Sequence, residues 1–117
     1  MQLPADRPNH LLGIADIGSI DKCVPHGVDT FDSAFPSRNG RHGSLLTHEG
    51  TVKIGNAKYA NMHEPISAYF PHYTAAYLHH LHKAKEPLSG VIFTMHNLCF
   101  MQDHMREVRR KIMNNEI

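Results

Sequence analysis

Tryptophan is absent from this chain of 117 residues, and cysteine occurs only twice, at Cys23 and Cys99. Two cysteines cannot build a disulfide framework. No apolar run approaches the roughly 20 residues of a membrane span, and the opening Met1-Gln2-Leu3-Pro4-Ala5-Asp6 lacks the basic and apolar regions of a signal peptide. These absences predict a cytoplasmic protein with no membrane partner. Excess charge is missing too: the net charge is +1 with histidine neutral, so any attraction to nucleic acid has to come from a local patch. There is no low-complexity tract, no internal repeat and no linker that separates independent domains. Length excludes a complete eight-stranded α/β barrel, which needs about 250 residues.

What is present is ordinary for a soluble fold, with 41% hydrophobic and 20% charged residues. Eleven histidines add positive charge below about pH 6.5. Short strands come first and longer helices last. Leu11-Leu12-Gly13-Ile14-Ala15 reads as a brief buried strand, Ser19 as the cap of a short helix ending near Pro25 and Gly27, and Val28 to Asp32 as a second strand. Strand, helix, strand is one step of a parallel α/β sheet. A hairpin follows, Ser44-Leu45-Leu46-Thr47 against Thr51-Val52-Lys53-Ile54, turned by His48-Glu49-Gly50. After a segment punctuated by Pro65 and Pro71, residues 74–85 have helical composition. Residues 88–114 carry Val91, Met95, Leu98, Met101, Met105, Val108 and Ile112 at spacings of three and four, which predicts a final amphipathic helix with these residues as its core stripe.

The stretch from Gly27 to Gly43 holds the chemistry. A carboxylate at the end of a parallel strand lies where substrates bind in α/β folds, so Asp32 is a candidate nucleophile or acid/base. Position alone favours an aspartate that caps the next turn. Asp29, three residues earlier, points to the opposite face and is the weaker candidate. Arg38 and Arg41 flank Asn39-Gly40, a turn-forming pair, and read as a basic loop able to fork onto phosphate oxygens or simply to face solvent.

In order along the chain stand Gly13-Ile14-Ala15-Asp16, Gly27-Val28-Asp29-Thr30-Phe31-Asp32, Pro36-Ser37-Arg38-Asn39-Gly40-Arg41-His42-Gly43, Asn56-Ala57-Lys58-Tyr59, Ala76-Tyr77-Leu78-His79-His80-Leu81 and His96-Asn97. This order resembles the C-terminal part of tRNA-guanine transglycosylases, the queuine tRNA-ribosyltransferases, and its wording is similar to the chlamydial branch. The resemblance implies a fold class: α/β, the C-terminal portion of a (β/α)8 TIM barrel, with residues 44–97 as a degenerate zinc-subdomain region followed by C-terminal helices. It implies a pentosyltransferase that exchanges guanine at the tRNA wobble position for a 7-deazaguanine base, in queuosine biosynthesis. By the same resemblance Asp32 is the nucleophile that forms a covalent aspartyl-ribosyl intermediate. Ser37, Arg38, Asn39, Gly40 and Arg41 then match the wobble-recognition loop. Gly13, Ile14, Ala15, Asp16, Ile17, Gly18 and Ser19 match an earlier RNA-contacting segment. The implied partners are a tRNA anticodon loop, the incoming base, and a second copy or a complementary upstream half.

Two departures limit what is carried over. The family pattern has a Cys-x-Cys-x-x-Cys ligand set before the Ala-Tyr-Leu-His-His helix and a zinc-ligating histidine that matches His96. Here residues 65–73 read Pro-Ile-Ser-Ala-Tyr-Phe-Pro-His-Tyr, so a Cys3His zinc site cannot form from them. His96 is then either a hydrogen-bonding histidine inside a helix or a metal ligand without its partners. His72 and Cys99 offer no supporting spacing, and His79, His80 and His82 read as an exposed polar helix face. The second departure is length: the family's general acid/base aspartate and most of its base pocket lie upstream of the matched region. The expectation is a fragment, split or truncated product, inactive alone. Its alternatives are a non-catalytic tRNA-binding or partner module and a degenerate remnant.

Overall fold

The computed structural model describes residues 2–117. Its elements run β1 (His10–Leu11), α1 (Ile17–Cys23), β2 (Thr30–Phe31), α2 (Phe35–Arg41), β3 (Ser44–Thr47), β4 (Gly50–Lys53), α3 (Ala75–Lys83) and α4 (Pro87–Met113), with single 3-10 turns at Val24–His26 and Ala57–Tyr59. The chain forms two compact units. The first takes the segment up to Phe35 together with His104–Ile117, and the second is Pro36–Asp103.

In the first unit β1 and β2 pair in parallel, His10 opposite Thr30 and Leu11 opposite Phe31, with α1 between them in sequence. The expected strand-helix-strand step is therefore present. Its strands are only two residues long, so the predicted Leu11–Ala15 and Val28–Asp32 were too generous. Ser19 does not cap α1. Asp16 does, because its carboxylate accepts the free Ser19 N–H of the first turn at 3.0 Å, leaving Ser19 inside the helix. The helix runs into the Val24–His26 turn and ends where Gly27, at φ +98°, reverses the chain.

The second unit begins with a correction. Ser37 to Arg41 lie on α2 and not in a loop. Pro36 favours a first helical turn, where its missing N–H is no loss, and Gly40 is a packing glycine in place of a turn residue. A Cβ on Gly40 would lie 2.7 Å from the Thr94 backbone nitrogen on α4. The hairpin β3–β4 forms with Ser44 opposite Lys53 and Thr47 opposite Gly50, one residue tighter than predicted. Thr74 caps α3, its hydroxyl accepting the Tyr77 N–H at 3.1 Å. The core gathers Leu45, Ile54, Tyr59, Ala75, Leu78, Leu81, Ile92 and Phe93, with Ile66, Phe70 and Tyr73 packed against it.

On α4 the predicted stripe is largely the wrong face. Val91, Met95, Leu98 and Ile112 are exposed, while Ile92, Phe93, His96, Asn97 and Phe100 are buried; of the predicted set only Met101 and Val108 are buried. Apolar residues occupy both faces, so spacing does not select one. The buried face carries a polar pair that the hairpin needs. Asn97 Oδ1 accepts from the Leu46 N–H at 2.9 Å, and its Nδ2 donates to the Pro36 and Ser44 carbonyls, each at 2.9 Å. Among the described residues no buried side-chain nitrogen or oxygen lacks a partner.

Candidate active site

After β1 the chain turns at Gly13, where φ is +74°, a left-handed geometry that glycine adopts without strain. The turn aims the Gly13 N–H at Asp32, the residue that follows β2, and Asp32 Oδ1 accepts it at 2.7 Å. The other oxygen, Oδ2, lies 3.3 Å from Nε2 of His10 on β1. His10 is oriented in turn by Thr30, its register partner on β2, with Nδ1 and the hydroxyl 2.7 Å apart. A ring that donates from Nε2 to the carboxylate is matched by a hydroxyl donating to Nδ1.

The Gly13 N–H, and after it His10, hold the Asp32 carboxyl below its usual range. The group is thus ionised at neutral pH, and its side chain is 59% exposed. An ionised, oriented and accessible carboxylate at the carboxyl end of a parallel strand can act as a nucleophile. Asp29 has a different task, with Oδ2 accepting the Asn9 N–H at 2.8 Å.

His10 and Thr30 were not singled out in the sequence. Strand alternation puts Thr30 and Asp32 on one face, but that His10 stands beside Thr30 follows only from the register of the parallel pair.

The other candidate residues divide between structural and exposed positions. In the segment 13–19, Gly13, Ile14 and Gly18 are exposed and Ala15 is buried. The Asp16 carboxylate is committed to Ser19, which holds it below the usual carboxylate range. Ile17 and Ser19 are half-buried. On α2, Arg38 and Arg41 are exposed and three residues apart, hence on one side of the helix, while Ser37 and Asn39 are half-buried and Gly40 is buried. Asp32 belongs to the first unit and Ser37 to Arg41 to the second.

The residues around His96 do not fit zinc. Nε2 lies 2.8 Å from the Leu46 carbonyl oxygen and Nδ1 lies 2.6 Å from the Ser67 hydroxyl, and both bonds are buried. A carbonyl only accepts, so Nε2 carries the proton and Nδ1 accepts from Ser67. No ring lone pair is left to bind a metal. Among the described residues no three His, Cys, Asp or Glu side chains converge into a metal-holding group. The expected exposed face of α3 is also corrected. His79 is half-buried and its Nδ1 donates to the Ile54 carbonyl at 2.7 Å, His82 is half-buried, and His80 is exposed. Burial, helped by Lys83 and His79, pushes the His82 pKa down.

Among the described residues no helix is long and apolar enough to cross a membrane. Residues 1–117 match the sequence family described as queuine tRNA-ribosyltransferase. The chain is 45% identical over 120 residues to the queuine tRNA-ribosyltransferase of Protochlamydia amoebophila, covering 98% of this chain and 31% of the relative. It is 44% identical to that of Chlamydia felis and 41% to that of Chlamydia muridarum, each match covering 98% of this chain and 32% of the relative. The chain thus spans about a third of the length of the curated relatives it matches. It belongs to the queuine tRNA-ribosyltransferase family, whose members are transferases acting on tRNA.

Proposed function

We propose that this chain is a catalytic segment of a tRNA-guanine transglycosylase, the C-terminal part of a (β/α)8 barrel in which residues 44–97 correspond to the zinc-subdomain region. Asp32 is the nucleophile. Its carboxylate attacks C1′ of the wobble ribose, the bond from C1′ to the base nitrogen breaks, and guanine departs with the electron pair. The covalent aspartyl-ribosyl adduct is then opened by a 7-deazaguanine base, so two inversions give net retention. The target base must leave its stack, a cost of a few kcal/mol that an anticodon loop reduces.

The observation that carries this reading is the Asp32 carboxylate, ionised and held by Gly13 and His10 at the mouth of a parallel strand pair. Arg38 and Arg41 supply exposed positive charge for the anticodon backbone, from a helix face and not from a loop. The segment 13–19 supplies further RNA contact through its exposed residues. The chain alone has little or no exchange activity and gains it from the parts of the family sequence that it does not match, in a second polypeptide or a longer one.

Asp32→Asn, tested in a chain completed with the remaining family sequence, should abolish both guanine exchange and the denaturation-resistant tRNA adduct. An adduct that survives the substitution removes Asp32 from the role. A second reading, a tRNA-binding or partner module without exchange, draws on the exposed Arg38 and Arg41 of α2. Salt-dependent tRNA binding by the isolated chain, with no exchange after completion, would favour it. The compact core and satisfied buried polar groups support a folded chain over a degenerate remnant.

A further inference from the structure

The family pattern implies a tetrahedral zinc site built by cysteines ahead of α3 and by the histidine at position 96. Residues 65–73 hold no cysteine. We infer that this chain has exchanged the metal for a neutral hydrogen-bond bridge, Ser67 to His96 to the Leu46 carbonyl, and that the region folds without zinc.

The bridge has the reach of a structural metal. Ser67 belongs to the segment before α3, His96 to α4 and Leu46 to β3, and the two bonds connect residues 29 and 50 positions apart in the chain. All three parts are thereby fixed at one imidazole. The direction of each bond follows from chemistry: Leu46 offers only an acceptor, so His96 donates from Nε2 and keeps Nδ1 for the Ser67 hydroxyl. Ser67 is 2% and His96 4% exposed, so a metal approaching either nitrogen would have to break a buried bond.

The surrounding segment shows how it dispenses with a metal's folding energy. Its ends are closed by the antiparallel bridge of Pro65 with Thr74 and by the Ala75 N–H donating to the Glu64 carbonyl at 2.8 Å. Its middle is filled by Ile66, Phe70 and Tyr73 against the core, with Phe70 and Tyr73 stacked at 5.9 Å. Tyr69 meets the His96 ring edge-on at 5.4 Å and its hydroxyl donates to Asp103 on α4. Apolar burial and hydrogen bonds thus occupy the place where a metal-dependent subdomain depends on its ion.

The test uses the purified 117-residue chain, grown with added zinc. Metal analysis should find below about 0.1 equivalents of zinc. The melting temperature should be unchanged by EDTA and by added zinc chloride. Long-range proton–nitrogen NMR, assigned with His96→Gln, should show His96 protonated at Nε2 and bare at Nδ1. Ser67→Ala should lower the melting temperature by about 4–8 °C and shift the Nδ1 resonance, with Ser67→Thr restoring both. One retained equivalent of zinc, a melting temperature lowered by EDTA or raised by zinc, or an Nδ1-protonated ring would each overturn the inference. So would a Ser67→Ala chain that melts and resonates like the parent; if that variant does not fold, the zinc content and chelator melts of the parent chain decide.

Discussion

Two side chains carry most of what is unusual here, and both are defined by hydrogen bonds that linear spacing does not display. Asp32 owes its lowered pKa first to the Gly13 N–H and second to His10. His10→Phe should therefore raise the Asp32 pKa without unfolding the chain, read as an upward shift in a carbon-13 carboxyl NMR titration. An unchanged titration would mean that Gly13 alone sets it. Asn97 is the second case, a fully buried amide that serves one backbone N–H and two carbonyls. Asn97→Ala leaves those groups buried and unpaired, and should cost about 3 kcal/mol. Chemical denaturation would measure it; a loss under about 1 kcal/mol would show that water or relaxation satisfies them. The sequence drew attention to Asp32 through its place after a strand, and to His96 and Asn97 through a resemblance. It did not indicate His10, because a lone histidine at a strand edge has no meaning until its neighbour across the sheet is known.

Elements were legible where local chemistry decides them. The α3 helix, the long α4 and the β3–β4 hairpin follow from residue type and spacing, and each formed within a few residues of its expected place. The stretch after Asp32 was misread because Asn39-Gly40 commonly makes turns, whereas here Gly40 is chosen for contact. Its missing side chain lets α2 approach Thr94 on α4, and a Cβ would stand 2.7 Å from the Thr94 nitrogen and 2.8 Å from its Cα. Gly40→Ala is accordingly expected to destabilise the chain by roughly 1–3 kcal/mol, although alanine is the better helix former. A gain in stability, as propensity alone predicts, would show that the two helices separate at little cost. The face of α4 was misread for a related reason. Its periodic apolar residues compete with a second apolar set, and the contest is settled by which face brings Asn97 and His96 to β3.

Over the whole molecule, titration gives a stability profile with a definite sign. His96 is pushed below its ordinary pKa by burial, which outweighs the Leu46 carbonyl, and His82 is pushed down by burial and by Lys83 and His79. Both therefore take up protons more readily when unfolded, near the ordinary histidine value of about 6.5. Their contribution is complete above that value and falls as the pH drops below it, so the melting temperature should decline between about pH 7 and pH 5. A flat or rising profile over that range would contradict the buried, neutral state of His96. A second decline belongs below about pH 4, where the Asp16, Asp32 and Glu107 carboxylates, all held low when folded, become protonated. By itself the sequence determined the family, the strand-helix-strand step, the hairpin and the long last helix, because these rest on residue types at fixed positions along the chain. Only the tertiary structure decided that His10 supports Asp32, that Arg38 and Arg41 ride on a helix, that α4 turns Phe93 and Asn97 inward, and that His96 is bound to Ser67 and Leu46. Each of those depends on contacts between residues far apart in the chain, whose directions and distances exist only once the elements have packed.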